Sequence, residues 1–276
     1  MSETPYGRHP RLTRRGRLLL LLVALLVVVA AVVLVLVLRK PGASARSLVV
    51  PEGWRASQVY EAVDKRLGLP PGTARKATVS AKLKLPPEAR GNPEGYLFPA
   101  TYPVTDDTTP AGLLGYMVDT ANRRFGQDRI AEGARGSGLT VYQVVTIAGI
   151  VQAEADSVAD MGKVARVIRN RLERGMPLQM DSTLNYALNR STLATTTGDT
   201  RIESPYNTYE HKGLPPTPIG NPGQQAVDAA IRPTPGSWLY FVTVAPGDTR
   251  FTDSYAQQLL NVREFNENQK KRGGAG

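Results

Sequence analysis

The stretch TVYQVVTIAGIVQAE, residues 140–154, decides the fold. Thr140 followed three residues later by Gln143 is a capping-box start for a helix. Val144, Val145, Ile147, Ala148, Ile150 and Val151 then cover more than half of the helix circumference. A stripe that wide places the helix inside a domain and not on its surface. Glu154 falls on the same face as Ile147, Ile150 and Val151, one or two turns further on. An acid at the end of an apolar face loses water, which favours its neutral form and raises its pKa. A carboxylic acid held protonated near neutral pH is what general-acid catalysis needs. The same position is where a helix would simply emerge into solvent, and from the helix alone that is the favoured reading.

Outward from this helix the pattern is mixed. Upstream, residues 48–51 read as a strand, 54–67 as an amphipathic helix with Val59, Ala62, Val63 and Leu67 on one face, and 74–85 as a further helix. Residues 91–103 read as a polar loop with aromatics, 113–125 as a helix, and 133–138 as a linker. Downstream, residues 160–174 read as a helix capped by Asp160 and ended by Gly175, with Lys163, Arg166, Arg169 and Arg174 on its basic side. That basic side fits a solvated face or an anion-binding groove. Asn221-Pro222 reads as the cap and first-turn proline of a helix over 223–231. Residues 238–244 alternate and are β-branched, so they predict a strand, with a partner near Arg250 and Phe251. A terminal helix over 254–268 should turn Leu259, Val262 and Phe265 inward. This order implies an α+β class.

Composition narrows the chemistry. The chain has no cysteine, which removes disulfides, thiolate nucleophiles and Cys-bound metals. Its only histidines are His9 and His211, so a multi-histidine metal site is excluded and only His211 could serve a Ser-His-Asp arrangement. Glu154, Asp156 and Asp160 lack the spacing of a calcium loop. No phosphate-cradling or dinucleotide fingerprint is present. No metal and no cofactor are expected. The net charge of +10 is concentrated at Arg8, Arg11, Arg14, Arg15 and Arg17, at Arg39 and Lys40, and at Lys270, Lys271 and Arg272. The body is nearly neutral, which argues against a nucleic-acid partner.

Residues 18–38 are apolar without interruption. At ~1.5 Å per residue such a helix matches the ~30 Å hydrocarbon core of a bilayer. The expected layout is a basic arm over 1–17, a single uncleaved transmembrane helix over 18–38 and a tether over 39–46. The excess of arginine before the span puts the N-terminus in the cytoplasm and the rest of the chain outside.

Two regions carry a mix of aromatic, amide and hydroxyl side chains suited to sugars. One is PEGYLFPATY, residues 93–102, with Glu94 and Tyr96. The other comprises Asn170 and Arg171, then LQMDST with Gln179 and Asp181, then SPYNTY with Tyr206, Asn207 and Tyr209, then GLPPTPIGNPG. For any one of these residues taken singly, stiffening a loop is the better explanation.

Together these segments resemble the YceG-like (MltG) family of membrane-bound endolytic murein transglycosylases. The resemblance rests on VPEGW (50–54), PEGYLFPATY (93–102), IAGIVQAEA (147–155), VIRNRLERGMPLQMDSTLNYAL (167–188), SPYNTYEHKGLPPTPIGNPG (204–223) and LYFV (239–242). It implies Glu154 as the catalytic acid, because the second acid of the family's A-S-I-V-E-K-E motif falls there and the first falls on Gln152. It further implies a partial LysM-like subdomain over 47–105 and a catalytic domain over 106–272. The implied activity is that of a lyase of the bacterial cell membrane, with the catalytic domain extracytoplasmic and peptidoglycan strands as substrate. It cleaves the bond between N-acetylmuramic acid and N-acetylglucosamine to leave 1,6-anhydro ends. Peptidoglycan synthases of elongation or division are the implied protein partners. Glu94, Tyr96, Asn170, Gln179, Asp181, Tyr206, Asn207 and Tyr209 are the candidate substrate or support residues. The chain departs from the family at its shortened LysM-like region, at Ala100 in place of Asp, and at Thr249, Gln257 and Gln258 in place of acids and histidines. A catalytically silent glycan-binding scaffold is the alternative these departures favour. A hydrolase using Glu154 with Glu94 is a third.

Overall fold

The computed structural model describes residues 23–31, 46–155, 157–191 and 195–273. The basic arm 1–17, both ends of the apolar run, most of the tether and Asp156 lie outside the described residues. Residues 23–31 are helical with exposed side chains. No helix among the described residues is long and apolar enough to cross a membrane. Met1–Arg46 and Ser47–Gly276 are separate compact units, and the candidate site lies in the second.

That second unit is built around the central helix, α5 (Val141–Glu154), in which every residue from Val144 to Val151 is buried. Its capping box is complete. Gln143 N–H donates to Thr140 Oγ1 at 3.2 Å and Thr140 N–H to Gln143 Oε1 at 2.9 Å. Helices α6 (Val158–Glu173) and α8 (Gln224–Ile231) pack on α5. Upstream, β1 (Arg46–Val49) pairs with β2 (Thr101–Val104), and α1 (Ala56–Leu67), α2 (Thr73–Ser80) and α3 (Pro110–Phe125) share the same hydrophobic core as α5. Downstream, β3 (Tyr240–Ala245) and β4 (Asp248–Thr252) form an antiparallel hairpin against which α9 (Tyr255–Gly273) packs. Helices with two small sheets make the unit α+β, as the pattern predicts.

Several local expectations are corrected. Residues 133–138 are not a linker; they largely belong to a helix, α4 (Asp128–Gly136). Its polar, glycine-containing pattern hides two buried positions, Ile130 and Ala134. Gly133 is required there, since a Cβ would meet the Ile231 side chain of α8 at 2.9 Å. Helix α2 stops at Ser80 and does not reach residue 85, and Lys82 beyond it takes a positive φ of 44°. The polar loop expected over 91–103 is largely buried from Pro93 to Phe98 and ends in β2. Gly95 there combines φ +84° with an approach of 2.6 Å between a hypothetical Cβ and Pro218. That is a conformation and a contact that only glycine accepts without strain.

The cap of α6 is Ser157, whose hydroxyl accepts from Asp160 N–H at 3.1 Å. The basic side of α6 is neither simply solvated nor an open groove. Arg166 donates to the Thr234 and Pro233 carbonyls and Arg169 to the Ser137 carbonyl, while Lys163 pairs with Asp160 at 3.3 Å. Asn221 does not cap α8, which has Gly223 at that position. Its buried amide instead accepts from Leu97 N–H at 2.8 Å and donates to the Trp54 carbonyl at 2.8 Å, joining three segments. On α9, Leu259 is 49% exposed, and the inner face is partly polar: Gln258 donates to the Phe241 carbonyl and Asn268 to the Val244 carbonyl.

Candidate active site

Glu154 is the last residue of α5. It keeps a partial opening to solvent, while the protein packed around its carboxyl raises its pKa above the ordinary 4.5 by desolvation. Ser182 donates its backbone N–H to Glu154 Oε1 at 3.1 Å and opposes that shift, and the neighbouring charge of Asp181 adds to it. Asp181 and Ser182 begin a short helix, α7 (Asp181–Ala187), that periodicity alone does not reveal. Asp181 accepts the Tyr209 hydroxyl at 2.5 Å, and the Tyr209 hydroxyl also feels the charge of Glu154. Glu154, Asp181, Ser182 and Tyr209 therefore form one cluster, drawn from three separated segments.

The segment leading into α7 is held from both sides. Arg171 of α6, 6% exposed, donates to the carbonyls of Leu239, Pro177 and Leu178 and to Gln179 Oε1, at 2.6, 3.1, 2.8 and 3.0 Å. Burial lowers its pKa. On the other side, Gln179 N–H donates to the Thr208 carbonyl and Met180 N–H to Thr208 Oγ1. Thr183 and Thr208 share a hydroxyl contact at 2.9 Å. Arg171, grouped with Asn170, and Thr208, inside SPYNTY, belong to the polar set in the sequence, but neither is among its candidate substrate or support residues.

Asn207 is fully buried and its amide is spent within its own loop. Nδ2 donates to the Thr200 and Ile202 carbonyls, and Oδ1 accepts from Tyr209 N–H. Asn170 likewise donates to the Gly236 and Trp238 carbonyls. Tyr96 is 3% exposed, edge-on to Phe125 and stacked on Tyr142. These three brace the frame. Gln179, Asp181, Tyr206 and Tyr209 are more open.

Glu94 sits in a second cluster at the other end of α7. It is buried, accepts from Ala56 N–H at 2.9 Å, and accepts from the Tyr186 hydroxyl at 3.0 Å. The Arg55 guanidinium lies 5.2 Å above the Tyr186 ring, and Tyr186 meets Tyr206 at 4.8 Å between ring centroids. Ser182, which holds Glu154, and Tyr186, which holds Glu94, are one helical turn apart on α7. Desolvation pushes the Glu94 pKa from 4.5 to about 7, against its two hydrogen bonds and Arg55. Between those values the folded protein holds a proton that the unfolded chain has released, so this group makes stability fall as pH rises through that window. Glu94→Gln should flatten the fall, by up to about 3 kcal/mol at pH 8. Urea midpoints of both proteins across pH 4.5–8 check it, and parallel curves would contradict it.

Gln152 accepts from Gly223 N–H at 3.0 Å and so serves the α8 terminus. Thr249 pairs with Thr243 across the hairpin, Gln257 with Asn261, and Gln258 with the Phe241 carbonyl. These departures from the family pattern serve the hairpin and α9.

A desolvated acid at a helix end, beside a tyrosine, a carboxylate and a hydrogen-bonded strap, is an arrangement capable of general acid–base chemistry. The chain belongs to the YceG-like family, whose model matches residues 29–264. It is 38% identical over 160 residues to the endolytic murein transglycosylase of Bacillus subtilis (strain 168), a match covering 58% of this chain and 44% of that protein. It is 35% identical over 182 residues to the endolytic murein transglycosylase of Streptococcus pneumoniae serotype 2 (strain D39), covering 64% of this chain and 33% of that protein. The chain thus spans less than half the length of these curated relatives. Among solved structures, a YceG-like protein from Listeria monocytogenes superposes with a TM-score of 0.67 at 27% identity, covering 78% of this chain and 75% of that one.

Proposed function

We propose that this chain is an endolytic lytic transglycosylase of peptidoglycan. The observation that carries the reading is the placement of Glu154 at the end of a buried helix, with Ser182 N–H fixing its carboxyl and the surrounding protein favouring its protonated form. In its protonated form Glu154 gives its proton to the glycosidic oxygen, the bond from that oxygen to C1 of N-acetylmuramic acid breaks, and N-acetylglucosamine leaves. The resulting carboxylate then takes the proton of the muramyl 6-hydroxyl as that oxygen bonds to C1. The ring closes to a 1,6-anhydro end, Glu154 is protonated again, and no water is consumed. Two-carboxylate hydrolysis needs a second acid at a defined separation. Glu94 is engaged by Ala56 N–H and Tyr186, and Asp181 by Tyr209, which favours one acid working alone.

In this reading Tyr209, Asp181, Gln179 and Tyr206 meet or orient the glycan, and Asn207, Asn170 and Tyr96 stiffen the frame. Residues 18–38 anchor the chain in the cytoplasmic membrane with residues 1–17 inside. Residues 47–105 act as a shortened LysM-like part beside the catalytic part, 106–272, and synthases of elongation or division supply nascent strands. In spheroplasts, external protease should spare the N-terminal arm and digest residues beyond Lys40; an accessible arm would invert this topology. The activity is tested by incubating purified sacculi with the protein. Internal fragments whose new ends are one water lighter than hydrolysed ends support the reading. Binding of sacculi without release of fragments would favour the scaffold.

A further inference from the structure

A cleft of about 400 Å³ lies along β2 and α3, with Thr101, Tyr116, Thr120, Arg123, Arg124 and Gln127 in its walls. Neither the acid end of α5 nor α7 contributes to it. Its volume is at the lower end of the ~300–1,000 Å³ usual for ligand sites. Arg123 and Arg124 have no carboxylate within ion-pair distance among the described residues. The acid nearest in sequence on α3, Asp119, pairs instead with Lys84 at 3.5 Å. Ala100 also lines the cleft and presents only a methyl group.

The two guanidinium groups are held rather than loose. That of Arg123 lies 5.9 Å from the centroid of the Tyr116 ring and donates to Thr120 Oγ1 at 2.9 Å; that of Arg124 lies 5.8 Å from the centroid of Phe98. Tyr116 is 45% exposed and braced edge-on by Tyr102 at 5.4 Å. A guanidinium carries five donors, so most remain open on both. Two planar forks beside an exposed aromatic face and threonine hydroxyls match a short peptide that ends in or carries carboxylates.

We propose that this cleft binds the carboxylate-bearing stem peptide of the murein strand. The choice of peptide rests on the function proposed above, since carboxylates are the anions of that substrate. The cleft would hold a strand by its stem while Glu154 acts on the sugar bond.

Free stem tetrapeptide, titrated calorimetrically into the detergent-purified full chain, tests binding without any need for turnover. The wild type and Glu154→Gln should bind it alike. The double variant Arg123→Ala/Arg124→Ala should bind at least tenfold more weakly, and Arg123→Lys/Arg124→Lys should fall between. Both arginines are exposed, so melting temperatures should barely move. On intact strands the double alanine variant should raise KM and leave kcat unchanged, while on strands stripped of stems by an amidase it should match the wild type. Equal peptide binding by the wild type and the double alanine variant, or none by the wild type, would overturn the proposal. Displacement of the peptide by equimolar inorganic phosphate would overturn it too, marking a general anion site. Peptide binding by a protein that cuts no strand would instead count against the enzymatic reading and leave this site standing.

Discussion

Glu154→Gln should lose at least about 10²-fold, and up to ~10⁴-fold, of its strand-cleaving rate while keeping its fold, because general acid–base catalysis contributes on that scale. The amide retains an oxygen that accepts Ser182 N–H, so the link from α5 to α7 survives. It cannot release or take up the proton that the glycosidic oxygen and the 6-hydroxyl exchange. Removing a desolvated ionisable group should leave the melting temperature equal or slightly higher. The wild-type rate should fall as pH rises through the Glu154 pKa, which burial and Asp181 hold above the ordinary value, because the acid form starts the reaction. Release of soluble fragments and thermal unfolding of both proteins measure these effects. A variant as active as the wild type would move the search for the acid to Glu94.

Arg171→Leu should be the most damaging change outside Glu154, costing about 3–5 kcal/mol. The side chain is buried and bonds only to neutral oxygens, three backbone carbonyls and the Gln179 amide. Leucine fills part of the volume but leaves those carbonyls without donors. Arg171→Lys should recover little, since one ammonium cannot reach acceptors that a planar fork spans. The loosened strap leads directly into Asp181 and Ser182, so residual folded protein should lose rate as well as stability. Denaturant unfolding and the rate per folded molecule check this, and a loss under 1 kcal/mol would mean that the strap is held from the Thr208 side alone.

The central helix, its cap and the acid at its end were legible because a wide apolar stripe, a Thr-x-x-Gln start and a terminal glutamate are all local features. The hairpin β3–β4 was legible for the same reason, through alternation. What local pattern could not supply was partnership. Asn221 looks like a cap until its amide is seen to tie Leu97 to Trp54. The basic side of α6 looks solvated until Arg166 and Arg169 are seen to reach loop carbonyls. Leu259 follows the periodicity of α9, yet the hairpin offers carbonyls to that helix, and Gln258 and Asn268 take the inner positions. At the site, Glu154, Asp181 and Tyr209 meet only after the 177–183 strap folds onto Thr208. Arg171 stands out in the sequence only as part of a polar set, and nothing local in it shows that it fixes the strap.

The most direct test that one acid works alone, without a second carboxylate activating water, is cleavage of murein strands in isotope-labelled water, followed by mass analysis of the new muramyl ends. Ring closure by the 6-hydroxyl predicts anhydro ends that carry no labelled oxygen. Labelled, reducing ends would contradict the account and assign the chain to hydrolysis with a second carboxylate.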